Sequence, residues 1–217
     1  AGTGPNSIAV NPVTSKIYVS NGGSADVTVI DGSYNTTATV VASMRPLRSA
    51  VNPATNKIYV VNCGVCDNLS NGSLTVIDGT NNSTSTVALG KTPQRLAINP
   101  VTNKIYVSNS GSNNVTVIDG NNNSTTTVNT GTSPRAIALN PVTNKIYVAN
   151  QQSNNVTVID GSTHATTTIA TGTSPDSVVV NPVTNKIYIG GNALTVIDGK
   201  DNSPTTIPAG MNPNAGA

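Results

Sequence analysis

The sequence predicts an all-β protein, a β-propeller of five four-stranded antiparallel blades of about 41 residues each. Three observations predict it. A unit that begins at a proline recurs five times along the 217 residues. In every copy, Asn-Pro and Asp-Gly pairs interrupt the apolar segments before three helical turns could form. The composition is rich in Asn, Thr, Ser and Gly, which is typical of strands joined by turns.

The repeat positions define the blades. The opening prolines are Pro5, Pro46, Pro93, Pro134 and Pro175, and the Lys-Ile-Tyr tyrosines are Tyr18, Tyr59, Tyr106, Tyr147 and Tyr188. The usual step is 41 residues, but the second copy is six residues longer and the last is three shorter. We expect one domain over 1–217, with blades at 1–41, 42–89, 90–130, 131–171 and 172–210. Residues 211–217 are expected to be a tail or the start of a truncated further repeat.

The fourth copy illustrates the strands and turns that we predict for one blade. Four strands are predicted, at 136–140, 145–149, 155–159 and 165–170. The Asp160-Gly161 pair predicts a tight turn between the third and fourth strands. The first strand is an unbroken apolar run and should line the central channel, whereas the Thr-rich fourth strand should lie outermost. Stacking the blades around an axis then covers both apolar faces of each sheet.

These segments resemble a known family. Residues 105–109 (Ile-Tyr-Val-Ser-Asn) and the recurring Val-Thr-Val-Ile-Asp-Gly strand are similar to the repeats of YVTN β-propellers. The fifth copy departs from the pattern at Tyr188-Ile-Gly-Gly191. Members are commonly seven-bladed surface or secreted proteins of archaea and bacteria, so the resemblance implies an extracellular or cell-surface location in a prokaryote. Five copies leave two possibilities open, a closed five-bladed ring and a piece of a larger one.

Composition and charge exclude several functions. A net charge of +2 is too small to favour nucleic acid, and no apolar run is long enough for membrane insertion. Glutamate is absent, so the facing carboxylates of a glycosidase are not available. The only histidine, His164, is expected on the rim away from any channel-mouth nucleophile, and no metal-ligand cluster is present. We therefore predict no metal, no cofactor and no catalytic residue, and favour a protein that is not an enzyme.

Two sets of charges are expected on opposite rims. Every copy carries a lysine before the Ile-Tyr pair and an aspartate after the third strand, from Lys16 and Asp31 to Lys186 and Asp198. Because all copies share these pairs, we interpret them as turn caps and rim ion pairs. The other set is asymmetric and lies where the first strands begin. It comprises Arg48, Arg95 and Arg135, with Gln94, Asn6 and Asp176 at related positions. Arginine suits carboxylate, sulfate or phosphate, so these six form the candidate ligand site, although exposed loop charge is the alternative.

The only cysteines are Cys63 and Cys66, in the six-residue expansion of the second copy. A zinc site would need two more ligands, haem attachment would need a histidine after Cys66, and a thioredoxin-like motif would need a helix. We predict a disulfide that holds this loop on the arginine rim, in an oxidising compartment.

These observations favour a non-catalytic extracellular module with a structural, adhesive or protein-interaction role at a prokaryotic surface. Other surface proteins or glycans are the expected partners, and the protein is a monomer or a homo-oligomer. One alternative is a binder of a small anionic ligand, an acidic sugar or a carboxylate, at the arginine-rich mouth. Another is an enzyme whose site includes Asp176 and the Cys63–Cys66 loop.

Overall fold

The computed structural model of the protein describes residues 2–67 and 70–207. These residues form five four-stranded antiparallel sheets, each made of four consecutive strands. Blade one contains β1 (Pro5–Asn11), β2 (Lys16–Asn21), β3 (Asp26–Asp31) and β4 (Thr37–Val41). Blade two contains β5 (Pro46–Asn52), β6 (Lys57–Asn62), β7 (Asn71–Asp78) and β8 (Thr84–Lys91). Blade three contains β9 (Pro93–Asn99), β10 (Lys104–Asn109), β11 (Asn114–Asp119) and β12 (Thr125–Asn129).

Blade four contains β13 (Pro134–Asn140), β14 (Lys145–Asn150), β15 (Asn155–Asp160) and β16 (Thr166–Ala170). Blade five contains β17 (Ser177–Asn181), β18 (Lys186–Gly190), β19 (Leu194–Asp198) and β20 (Pro204–Ile207). The all-β fold of five four-stranded blades is thus confirmed, and the strands predicted in the fourth copy fall within two residues of β13–β16. Strand β8 runs past the boundary expected at residue 89, and residues 211–217 lie outside the described part of the chain. No helix in the described part could cross a membrane.

Four apolar clusters hold neighbouring blades together, and each combines residues of two consecutive blades. Between blades four and five, for example, Tyr147, Val156 and Ile169 pack against Ile187 and Ile189. The tyrosines of the first four blades are fully buried and are the largest side chains of these clusters. The predicted stacking of blades is therefore the arrangement that covers their apolar faces. None of the four clusters joins blade five to blade one.

The Asp-Gly pairs form a different turn from the tight one expected. Strand β15 ends at Asp160 and β16 begins at Thr166, so five residues connect them. The Asp160 carboxylate accepts hydrogen bonds from the main-chain N–H groups of Ser162 and Thr163, both at 2.9 Å. Gly161 keeps a negative φ, and a side chain there would collide with both oxygens of Asn144. The glycine is needed for this close approach, which the Asp-Gly signal alone does not reveal.

Candidate functional site

The structure gathers the six predicted ligand-site residues at one end of the channel, where the innermost strands begin. One cavity of about 130 Å³ is lined by Arg48, Gln94, Arg95, Arg135 and Asp176. An adjoining cavity, which shares Arg48 and Gln94, is lined also by Asn6 and Leu47. We call this group of polar residues the arginine mouth. It draws on all five blades, with guanidinium groups on blades two to four.

A second, larger cavity adjoins the arginine mouth. A cavity of about 300 Å³ shares Arg95 and Asp176 with the mouth, and its remaining lining comes from the innermost strands of blades three to five. Those lining residues are Leu96, Ala136, Ile137, Ser177, Val178 and Val179. Ile137 belongs to the apolar core between blades three and four, and Val178 packs against the core between blades four and five. This second cavity therefore presents mainly polar groups to a ligand.

Backbone irregularities place the arginines at this end. Strand β5 gains an extra residue against β6 between Pro46 and Arg48. Strands β9 and β13 carry corresponding irregularities, at Gln94–Arg95 opposite Ser108 and at Arg135–Ala136. A bulge leaves residues outside the regular ladder and redirects the strand, and bulges are over-represented beside binding sites. In β9 and β13 the arginine itself lies outside the regular pairing, whereas in β5 Leu47 does so and Arg48 stays paired with Val61.

Ser108 joins two of these irregular segments. Its buried Oγ accepts a hydrogen bond from the main-chain N–H of Arg95 at 3.3 Å and donates one to the main-chain oxygen of Arg135 at 2.9 Å. The corresponding residue of blade one is Ser20, whose buried Oγ has no partner among the described residues. Blade four has Ala149 at this position. Ser108 thus ties the backbones of two arginines of the mouth together, a role that sequence analysis missed because the residue sits inside a repeated motif.

Electrostatics at the mouth favour an anion. Partial desolvation lowers the pKa of the Arg95 guanidinium, although the side chain keeps contact with solvent. The neighbouring charges of Arg48 and Arg135 lower that pKa further, and Asp176 opposes the change. Of the two ion pairs among the described residues, neither involves an arginine of the mouth. Three cations therefore repel one another across a shared cavity, and a bound anion would relieve that repulsion.

The opposite rim has a structural explanation. Lys104 pairs with Asp119 at 2.9 Å and Lys186 with Asp198 at 2.7 Å, each within one blade. Lys57 instead donates to the main-chain oxygen of Gly120 in the next blade at 2.8 Å. The hydrogen bond from the paired lysine lowers the pKa of Asp119 and of Asp198, and the hydrogen bonds by which these carboxylates cap their own turns lower it further. The repeated lysine and aspartate residues therefore stabilise turns and connect blades.

Cys63 and Cys66 form the predicted disulfide. The loop lies on the arginine rim, as expected, where the Cys63 N–H donates to the main-chain oxygen of Arg45 at 3.1 Å. The Arg45 side chain donates to the main-chain oxygen of Val65 at 3.2 Å. In the described part of the chain, neither cysteine lines a cavity of the arginine mouth. The enzyme alternative combined Asp176 with the Cys63–Cys66 loop in one site. Asp176 lines the arginine mouth and these cysteines do not, so the two do not share a cavity.

Comparisons with known proteins support the propeller fold. The family model described as "Lactonase, 7-bladed beta-propeller" matches residues 1–183. Hydrazine synthase from Kuenenia stuttgartiensis superposes with a TM-score of 0.76 at 22% identity, over 96% of this chain and 68% of that one. A functionally unknown protein from Desulfotomaculum acetoxidans gives a TM-score of 0.76 at 16% identity, over 96% and 70%.

The dihydro-heme d1 dehydrogenase NirN, in complex with DHE, gives a TM-score of 0.76 at 17% identity, over 93% of this chain and 45% of that one. At these identities the likeness concerns the fold alone. No curated protein matches the sequence.

Proposed function

Because this chain belongs to the lactonase family of seven-bladed β-propellers, we propose that it is a propeller module that binds a small anionic ligand, an acidic sugar or a carboxylate, at its arginine mouth. One observation carries the proposal. Arg48, Arg95 and Arg135 line a single cavity, and no ion pair among the described residues neutralises them. Charge-assisted hydrogen bonds from guanidinium groups are among the strongest that a small anion can receive.

The other lining groups narrow the ligand class. Gln94 and Asp176 can exchange hydrogen bonds with ligand hydroxyl groups, because an amide donates and accepts while a carboxylate accepts. A molecule with one carboxylate and several hydroxyls therefore fits the mouth better than inorganic phosphate does.

The setting we propose is a prokaryotic cell surface or the extracellular space. The YVTN-like repeats support it by resemblance, and the Cys63–Cys66 disulfide supports an oxidising compartment. In that setting the ligand is part of a surface glycan or a free acid. An adhesive role requires no second binding site, because an anionic surface glycan held at the arginine mouth would itself attach the protein to that surface.

Titration calorimetry tests the binding. Glucuronate, galacturonate and succinate are titrated into the wild type, Arg95→Ala and Arg45→Ala. Arg45 is the matched control, because it lies on the same rim and is exposed like Arg95 but does not line the cavities of the mouth. We expect Arg95→Ala to weaken binding by roughly ten-fold or more, the effect of losing hydrogen bonds to a charged group. Absence of binding to the wild type, or equal losses in both variants, would remove the proposal.

A second candidate function is hydrolysis of a lactone. The family description and the presence of a carboxylate beside arginines in one cavity favour it. In such a reaction Asp176 removes a proton from water while the water oxygen attacks the ring carbonyl. Arg95 stabilises the carbonyl oxygen as it becomes negative. The ring C–O bond then breaks, and Asp176 returns the proton to the departing alkoxide, which leaves a hydroxy acid.

Turnover of γ- and δ-lactones by the wild type and by Asp176→Asn tests this candidate. We expect the substitution to reduce kcat by about 100-fold or more, as loss of a general base does. Turnover that is indifferent to the substitution would exclude Asp176 as the base. Anion binding without turnover would leave the first proposal as the function.

A further inference from the structure

Asp176 brings a negative charge into the arginine mouth. It lines the cavity of about 130 Å³ together with Arg48, Arg95 and Arg135, and it also lines the adjoining cavity of about 300 Å³. Its Oδ1 is buried from solvent and accepts no hydrogen bond from any described residue. Aspartate is almost never buried unless it is paired, and a buried acceptor normally has a donor. The Oδ1 of Asp176 therefore calls for a donor that the described part of the chain does not supply.

The arginines of the mouth do not fill this role. Both ion pairs among the described residues lie on the opposite rim, so no guanidinium group there is paired with Asp176. Arg48 is engaged elsewhere, because its guanidinium donates to the main-chain oxygen of Asn6 at 3.3 Å. The Asn6 side chain in turn donates to the main-chain oxygen of Pro46 at 3.1 Å. The mouth therefore presents cations and a carboxylate that do not neutralise each other by direct contact.

The opposite charges extend from neighbouring blades. The residue after the opening proline is Arg135 in blade four and Asp176 in blade five, so the charge changes sign at one repeat position. The main-chain N–H of Asp176 donates to the main-chain oxygen of Gly190 at 2.9 Å. This bond holds the backbone of Asp176 against the second strand of its own blade. The carboxylate thus belongs to one side of the mouth and the guanidinium groups to the other blades.

Gln94 supplies a second acceptor in the same cavity. Its side-chain Nε2 donates to the Ser110 Oγ at 3.1 Å, and the Ser110 hydroxyl donates to the main-chain oxygen of Thr92 at 3.0 Å. With its nitrogen engaged in this way, the Gln94 amide keeps its oxygen to accept a hydrogen bond from a ligand. A protonated amine has three donors and no acceptor, which suits a carboxylate and an amide oxygen that line one cavity.

From these contacts we infer that the ligand of the arginine mouth carries both a carboxylate and a protonated amine. The guanidinium groups bind the carboxylate, and Asp176 with Gln94 accepts hydrogen bonds from the amine. A hydroxyl group can also donate to Asp176, but an ammonium group forms the stronger, charge-assisted bond and offsets the charge of the buried oxygen. The inference rests on the proposed function and narrows its ligand class to amino acids and amino-sugar acids.

The order of two affinities reports on Asp176. L-Aspartate is succinate with one added ammonium group, so at neutral pH it carries one net negative charge where succinate carries two. A mouth that acts only through its cations binds succinate more tightly, because attraction grows with the opposite charge. A mouth in which Asp176 accepts from the amine binds L-aspartate more tightly. The two readings therefore predict opposite orders.

Titration calorimetry of both ligands into the wild type, Asp176→Asn and Asp201→Asn measures these affinities. Asp201 is the matched control, because it is an exposed aspartate on the opposite rim whose carboxylate accepts from Ser203. We expect the wild type and Asp201→Asn to bind L-aspartate roughly ten-fold more tightly than succinate, the effect of a hydrogen bond between charged groups. Asp176→Asn should reverse this order. It should bind succinate at least as tightly as the wild type, since a repelling charge has gone.

Asparagine has the size of aspartate, and the Asp176 Oδ1 has no hydrogen bond to lose within the described chain, so Asp176→Asn should fold with a Tm within about 3 °C of the wild type. Should it not fold, the order of affinities in the wild type decides alone. A wild type that prefers succinate, or an Asp176→Asn variant that keeps the preference for L-aspartate, would overturn the inference and leave the anion site standing. If neither these acids nor glucuronate binds, the inference and the proposed function both fail.

A second pair of ligands distinguishes the two sources of the amine. Glucosaminate differs from gluconate by an ammonium group in place of one hydroxyl. If the ligand is an amino-sugar acid, glucosaminate should bind the wild type more tightly than L-aspartate does, and Asp176→Asn should remove its advantage over gluconate. If the ligand is an amino acid, L-aspartate should bind more tightly than glucosaminate. An advantage of glucosaminate over gluconate that survives in Asp176→Asn would contradict the assignment of the amine to Asp176.

Discussion

The Ser108 Oγ donates a hydrogen bond to the main-chain oxygen of Arg135, with 2.9 Å between the two oxygens. The same hydroxyl accepts from the N–H of Arg95, so one buried side chain fixes the relative position of two arginines on neighbouring blades. Because the hydroxyl bonds to both main chains, it fixes the distance between the two backbone positions from which the guanidinium groups extend. The geometry of the proposed anion site thus depends on a residue that does not line it.

Ser108→Ala should weaken anion binding by roughly three- to ten-fold and lower the unfolding free energy by about 1 kcal/mol, the usual contribution of a hydrogen bond. Ser20→Ala is the control, because its hydroxyl is buried at the same repeat position without a partner among the described residues. Calorimetric titration of an acidic sugar measures the first effect and denaturant unfolding the second. Equal binding by the two variants would mean that Ser108 does not position the site.

Arg95→Lys should bind the anion more weakly than the wild type but more tightly than Arg95→Ala. Lysine keeps the positive charge and loses the planar fork that donates two parallel hydrogen bonds. Binding should also weaken as NaCl rises from about 50 to about 300 mM, because salt screens partly exposed charges. If Arg95→Lys binds as tightly as the wild type, general electrostatic attraction and not guanidinium geometry holds the ligand.

Stability should decrease at alkaline pH. Burial raises the pKa of Tyr59 and Tyr106 from 10.0 to about 12, and the nearby aspartates Asp119 and Asp160 add to the effect. A tyrosine is neutral below its pKa, so the unfolded chain loses these protons first as the pH rises. The unfolding free energy is therefore unaffected below about pH 10 and falls between about pH 10 and 12.

Denaturant unfolding at about pH 8 and about pH 11.5 measures this dependence. Tyr106→Phe should reduce the difference between the two values, because phenylalanine does not ionise. Its buried hydroxyl has no hydrogen-bond partner among the described residues, so the substitution should cost little at the lower pH. An unfolding free energy that is the same at both pH values would contradict the expectation.

Removal of the disulfide should affect the loop and not the site. The bridge joins residues three apart, so it closes a very small ring and should contribute no more than about 2 kcal/mol to stability. The Cys63→Ser/Cys66→Ser variant should fold and should bind the anion with the wild-type Kd, since neither cysteine lines the mouth. Faster amide exchange at residues 63–67 would report the freed loop. A large loss of anion affinity would show that the loop supports the mouth.

Much of this fold could be predicted from the sequence because the same unit is written five times. The Asn-Pro and Asp-Gly pairs mark the turns, and alternation of strand direction predicts Arg48, Arg95 and Arg135 on one rim. The asymmetry of this set is visible in the sequence, because the equivalent positions in blades one and five hold Asn6, Ser7, Asp176 and Ser177. Because each repeat position occurs five times, a copy that departs from the pattern can be recognised from the sequence.

Other features could not be predicted, for physical reasons. The residue before each opening proline has a positive φ, including Arg45 at 53° and Thr92 at 49°, although neither residue type favours this conformation. Tertiary contacts such as the bond from the Thr92 hydroxyl to the main-chain oxygen of Asp67, at 2.8 Å, accompany it. The role of Ser108 likewise depends on the neighbouring blade, where its hydroxyl meets the main-chain oxygen of Arg135, and a single repeat carries no information about that contact.

The most direct test of the anion site follows the arginine side chains themselves. An NMR titration with glucuronate records the Nε–Hε signals of the arginines in one sample. We expect the signals of Arg48, Arg95 and Arg135 to shift together with a single Kd, while that of Arg45 stays in place. Shifts of all four arginines without saturation, or none at all, would contradict the account.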